Sequence, residues 1–154
     1  MATLNRELFL KASTTAHLVG QIVGRQVEPV GIPAFLLALL THIRDHQPVT
    51  PSTVSAVSGA PLTTLRDNIQ RLVDRRLVRR VPNPDDGRSY LLVLTAAGER
   101  ITAEAGEALL EAYELLETEL GDLQPHERRL DDLNAALAAV LRRLEQLSGP
   151  KRTR

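Results

Sequence analysis

Apolar residues recur at helical spacing along most of the chain and alternate only once. Between Leu4 and Val27, the positions Leu8, Ala12, Thr15, Val19 and Ile22 step by four and three, which puts them on one stripe of an α-helix. Gly20 and Gly24 lie on that helix at a spacing suited to close helix packing. Pro29 to Gly31 break the chain, and Pro33 suits the first position of a second helix, where a missing N–H costs nothing. Its run Phe35, Leu36, Leu37, Leu39, Leu40 and Ile43 is apolar nearly all round, so this helix is expected at the centre of the core. Gln47 and Pro48 end it. Thr50 followed by Pro51 reads as the N-cap and first residue of a short third helix that stops at Gly59.

A fourth helix is expected over Pro61 to Arg76. Leu62, Leu65, Ile69, Leu72 and Val73 share one arc, and Thr63, Asp67, Gln70, Arg71 and Asp74 lie opposite. Two helices joined by a short turn containing Gly, the second with an outer face rich in Arg and Thr, make a helix-turn-helix pattern. Next come a short strand, Leu77 to Val81, turn residues from Pro82 to Gly87, and a second strand, Tyr90 to Leu94. The tip Asn83-Pro84-Asp85-Asp86-Gly87-Arg88 is polar and should project as a flexible loop, so the hairpin forms a wing beside the helix-turn-helix. Thr95 then caps a long helix carrying Ile101, Ala105, Ala108, Ala112, Leu115 or Leu116, and Leu120, about 39 Å long if it reaches Gly121. A last helix opens at Pro125 with Leu130, Leu133, Leu137, Val140, Leu144 and Leu147 in a three-four repeat that calls for a partner helix.

The fold class that follows is mainly α: a winged helix-turn-helix of six helices plus a two-stranded β-hairpin wing, with terminal helices forming a dimerisation region. Residues 1–32 form an N-terminal dimerisation helix, 33–95 a DNA-binding domain, 96–148 the C-terminal dimerisation helices and 149–154 a basic tail expected to fray. The stripes left at both ends imply a two-fold dimer that presents two reading heads roughly 34 Å apart.

Composition narrows the class. The 154 residues, 43% hydrophobic and 25% charged, suit one globular domain whose core needs no disulfide or structural metal. With no cysteine there is no disulfide, thiolate metal site or redox-sensing thiol. Met1 to Lys11 lacks the pattern of a signal peptide, and no segment approaches the roughly 18 apolar residues of a membrane span, so a cytoplasmic protein with no membrane partner is expected. The net charge is zero but unevenly spread. Leu62 to Tyr90 holds seven Arg against four Asp, whereas Glu99 to Asp122 holds eight acids against Arg100 alone. Arginine suits bidentate phosphate and guanine contacts as well as insertion into a narrow groove.

The run Arg71-Leu72-Val73-Asp74-Arg75-Arg76-Leu77-Val78-Arg79-Arg80, then Pro84-Asp85-Asp86-Gly87-Arg88, then Leu94-Thr95-Ala96-Ala97-Gly98, resembles the signature of MarR-type winged-helix transcriptional regulators. The resemblance implies a homodimer on a palindromic double-stranded DNA operator, usually a repressor, often released by a small anionic or aromatic effector. It also implies that Thr63, Thr64, Arg66, Asp67 and Gln70 face base edges in the major groove. On the same grounds Arg88 enters the minor groove, with Asp86 orienting it through a bidentate pair. Arg71, Arg75, Arg79 and Arg80 are expected to contact phosphates or pair with acids. The sequence departs from the family pattern at three places. Arg76 stands where glycine is usual at a helix end, so the turn into the wing must differ or be strained. Ala60 and Pro61 replace the usual Ser or Thr cap. Asp67 replaces arginine near the middle of the reading face, where a pair with Arg71 is expected and a contact to cytosine N4 is the alternative.

Other chemistry is thinly represented. His42 and His46, four apart, could share a metal in a metal-responsive regulator, but two ligands do not make a site and no cofactor is expected. There is no phosphate-cradling glycine loop, HExxH motif or nucleophile elbow, so no enzyme is expected. The acidic run Glu104, Glu107, Glu111, Glu114 and Glu117 reads as a solvated face. An effector pocket, if present, is expected among His17, Phe35, Leu39 and His42, near Ile101. The rival reading is a winged-helix module that binds a protein through the same surface and never touches DNA.

Overall fold

The computed structural model describes residues 6–148; Leu4, the tail from Gly149 and the side chain of Leu147 lie outside the described residues. Contacts divide the chain into two compact units, Met1–Tyr113 and Glu114–Arg154. In the first, α1 (Arg6–Val27) leads through a 3-10 turn (Glu28–Val30) to α2 (Ala34–His46), α3 (Pro51–Ser58), α4 (Leu62–Asp74), β1 (Val78–Pro82), β2 (Tyr90–Leu94) and the start of α5 (Ala96–Leu120). The second holds the end of α5 and all of α6 (Gln124–Ser148). This is the element order the hydrophobic pattern predicts, with ends shifted by a residue or two.

Local chemistry sets most of the boundaries. The Thr50 hydroxyl accepts from the Thr53 N–H at 3.2 Å, and Gly59 closes α3 with φ 68°, its N–H donating to Ser55 O at 3.0 Å. Pro33 proves to be the extended residue before α2 rather than its first helical residue. Helix α4 stops at Asp74, short of the expected Arg76. The Arg76 N–H donates to Val73 O (2.8 Å) and the Leu77 N–H to Leu72 O (2.9 Å), the paired bonds of a Schellman ending. That ending needs a left-handed residue, and Arg76 supplies it at φ 57° despite carrying a Cβ. The strain expected from the missing glycine is therefore present.

The two strands pair antiparallel from Val78↔Leu94 to Pro82↔Tyr90. Val49 adds an isolated bridge to Leu92, with both N–H···O bonds made (3.2 and 2.8 Å), a contact the sequence pattern did not suggest. Gln47 extends this edge: its side-chain carbonyl accepts from the Leu94 N–H at 2.7 Å while its amide donates to Glu99 Oε1 at 2.8 Å.

The core of the first unit centres on α2, whose Leu36, Leu37, Leu39, Leu40 and Ile43 are buried, against Val54 of α3, Leu65, Ile69 and Leu72 of α4, and Val78 and Leu92 of the wing. Leu62, expected on the buried arc of α4, is exposed, so the arc begins one turn later at Leu65. On α5 the buried face is Gly98, Thr102, Ala105 and Leu109, whereas Ile101 and Ala108 are only half-buried. Thr102 is tolerated there because its hydroxyl donates to Gly98 O at 2.7 Å. A Cβ on Gly98 would run into the Leu77 carbonyl and the Leu94 side chain. Thr95 works at the same junction, its hydroxyl donating to Arg76 O at 2.7 Å and accepting from the Gly98 N–H at 3.1 Å. The Leu-Thr-x-x-Gly sequence thus clasps the strained end of α4.

Candidate nucleic-acid interface

Helix α4 buries Leu65, Ile69 and Leu72 and turns Thr63, Thr64, Arg66, Asp67, Gln70, Arg71 and Asp74 to solvent. Because the hydrophobic arc fixes the roll of the helix, the polar face must point outward. The wing carries Arg79, Arg80 and Arg88 on exposed positions. Arg66, Arg71, Arg76, Arg79 and Arg88 have guanidinium groups with no hydrogen-bond or ion-pair partner among the described residues. Unpaired, solvated guanidiniums can exchange condensed counterions for phosphate without first breaking an internal bond.

Two arginines of the stretch from Leu62 to Tyr90 are engaged within the protein. Arg75 donates to Gly31 O at 2.8 Å, tying the end of α4 to the turn between α1 and α2. Arg80 donates to Gln70 Oε1 at 2.8 Å and lies 4.9 Å from the centroid of the Tyr90 ring, while Gln70 Nε2 donates to Asp74 Oδ1 at 2.7 Å. Asp74, Gln70, Arg80 and Tyr90 form one continuous relay from α4 to the wing. Tyr90 was not singled out from the sequence. The hairpin register contains the signal, since Arg80 opposes Leu92 and Tyr90 is its diagonal neighbour on the same face.

Two expected acid–arginine pairs do not form. Asp67 makes no ion pair with Arg71 and has no partner among the described residues. On a solvated face such a pair gains at most about 1 kcal/mol, and that gain must offset the lost freedom of two side chains. The Asp86 carboxylate accepts from the backbone N–H of Arg88 at 3.0 Å instead of holding its guanidinium. This is turn chemistry, and it leaves the Arg88 side chain free. Asn83 assists: its carbonyl accepts from the Asp85 N–H at 3.1 Å and its amide donates to Ser89 Oγ at 2.7 Å. Expected as a flexible loop, the wing tip is stitched by its own Asx bonds.

The four residues expected around an effector pocket are spread over different environments. Leu39 is buried in the core, His42 is half-buried, Phe35 is 51% exposed, and His17 bonds to Gln21 along α1 at 2.9 Å. A shallow cleft at the α1–α2 corner is lined by Gly24, Glu28, Gly31, Ile32, Pro33 and Ala34, none of those four. His46 directs Nδ1 at His42 O (2.9 Å), an ordinary arrangement near a helix C-terminus, and no cluster of three metal-ligating side chains occurs among the described residues. No single described helix is long and apolar enough to cross a membrane.

Residues 37–89, spanning α2 to the wing tip, match the family model described as MarR family. The multiple antibiotic resistance protein MarR of Escherichia coli is 33% identical over 89 residues, covering 55% of this chain and 62% of that protein. Over this region the chain is similar to proteins of the MarR family. A second relative, the HTH-type transcriptional repressor NicR of Pseudomonas putida, is 31% identical over 94 residues, covering 58% of this chain and 54% of NicR. The matches thus span less than two thirds of the length of these curated relatives. Among solved structures, a mutant Escherichia coli MarR complexed with operator DNA superposes with TM-score 0.67 at 25% identity, covering 88% of this chain and 99% of that one. The Mycobacterium tuberculosis regulator MOSR in complex with DNA shares the fold, with TM-score 0.73 at 24% identity over 85% of this chain and 96% of its own.

Proposed function

We propose that the chain is a transcriptional regulator that binds double-stranded DNA as a homodimer and represses from a palindromic operator in the cytoplasm. The observation that carries this reading is the set of five unpaired guanidiniums, Arg66, Arg71, Arg76, Arg79 and Arg88, distributed over the outer face of α4, its end and the wing. The similarity to an Escherichia coli MarR complexed with operator DNA and to the repressor NicR supports it. In this reading residues 33–95 read DNA, with Thr63, Thr64, Arg66, Asp67 and Arg71 in the major groove and Arg88 in the flanking minor groove, where negative potential favours a guanidinium. Gln70 and Arg80 hold the wing against α4, and Asp86 shapes the tip that presents Arg88.

Residues 1–32 and 96–148 supply the dimer contacts. Leu8, Phe9, Leu18, Val19 and Ile22 on α1 are exposed, as are Leu130, Val140 and Leu141 on α6. Apolar stripes of this length are rare on a lasting monomer surface. A small aromatic or anionic effector releases the operator by altering the spacing of the two heads, and His17, Phe35, Leu39 and His42 are its proposed contacts. Compounds of that class should then weaken DNA binding without separating the dimer.

The deciding experiment is fluorescence anisotropy on the DNA upstream of the chain's own gene and on a scrambled duplex, across a salt series. Selective binding with a steep salt slope is expected, and Arg88→Ala should weaken it about 5- to 100-fold, as befits a groove contact of roughly 1–3 kcal/mol. Equal weak binding to both duplexes, unaffected by Arg88→Ala, would favour the protein-interaction alternative.

A further inference from the structure

The reading face of α4 contains one feature that phosphate attraction does not explain. Asp67 lies exposed in the middle of it, between Thr63 one turn before and Arg71 one turn after, and has no partner among the described residues. Further along this face Gln70 is already committed, to Asp74 and Arg80 at 2.7 and 2.8 Å, while Arg71 is a cation suited to phosphate. A bare carboxylate repels the DNA backbone, so it weakens binding unless a base edge offers it a donor.

We infer that Asp67 is a specificity-determining residue that accepts a hydrogen bond from the N4 amine of a cytosine in each operator half-site. This rests on the DNA-binding reading above. The choice of base follows from the major-groove edges. Guanine shows two acceptors there, thymine an acceptor and a methyl group, and adenine a donor beside the N7 acceptor. Cytosine alone shows a donor with no acceptor next to it. A carboxylate can only accept, so three of the four edges present it with lone pairs or a methyl group, and cytosine does not. Asp67 therefore discriminates mainly by rejection, and the free arginines around it supply the affinity it gives up.

The test is selection from a randomised duplex library by wild type, Asp67→Asn and Asp67→Ala, followed by anisotropy on half-sites altered at single positions. Because Asp67 is exposed and unbonded, neither substitution removes a contact that holds the fold. Wild type is expected to prefer cytosine about 5- to 10-fold at one position per half-site. Asp67→Ala should lose the preference at that position alone while binding unrelated DNA more tightly. Asp67→Asn should shift it to adenine, whose N6 and N7 match a carboxamide in a way no merely structural role would reproduce. If both variants keep the wild-type preference at every position, the inference fails and the DNA reading stands. If wild type selects no sequence at all, the DNA reading fails and takes this inference with it.

Discussion

Gly98 and Arg76 are joined through the Thr95 hydroxyl, which donates to the Arg76 carbonyl and accepts from the Gly98 N–H, and their backbone requirements are opposite. Gly98 must lack a side chain because the Leu77 carbonyl occupies the place of its Cβ. Gly98→Ala should therefore cost about 1–3 kcal/mol as the backbone shifts to relieve the overlap, read as a lower midpoint in urea unfolding with an unchanged slope. Arg76 has a side chain where the left-handed φ of 57° favours none. Its conformation is held from outside by the Thr95 hydroxyl on its carbonyl and by the Schellman bonds on either side. Both residues stood out in the sequence, Gly98 as part of a motif and Arg76 as a departure from one. The motif's mechanical reason, a clasp on the end of α4, depends on Leu77 approaching Gly98 from a different element of the chain.

Among the elements, the cap and closing turn of α3 were legible because each is decided within four or five residues. The Thr50 hydroxyl reaches Thr53 and Gly59 turns left-handed whatever the rest of the chain does. The wing was legible only as a hairpin. Its attachment rests on Val49 bridging to Leu92 and on Gln47 capping the Leu94 N–H, contacts across more than forty residues that no local pattern encodes. Gln47→Ala leaves that part-buried N–H without its acceptor and should cost about 1–3 kcal/mol. Amide exchange should speed up at Leu94 more than at Val78, which would tell loss of the cap from general unfolding. The relay Asp74–Gln70–Arg80–Tyr90 belongs to the same scale, joining a helix face to a strand face through polar side chains read separately in the sequence and a tyrosine read only as part of a strand.

Over the whole molecule, hydrophobic surface is left unspent on α1 and α6. If a second copy covers it, Val19→Glu, which places a charge in the expected α1 stripe, should shift the chain from dimer to monomer in sedimentation and reduce operator affinity to that of a single half-site. Thermal stability of the wild type should rise with protein concentration, and that dependence should vanish in the variant. The sequence by itself determined which segments are helix and strand, because periodicity, prolines, glycines and hydroxyl caps act over a few residues. It also determined that the basic charge is concentrated in α4 and the wing. Tertiary structure alone decided which polar groups remain free. Gln70, Arg75 and Arg80 are engaged by partners from other elements, and Asp67, Arg71 and Arg88 are not. A side chain's availability depends on what the fold brings within about 3 Å of it, and sequence spacing cannot specify that distance.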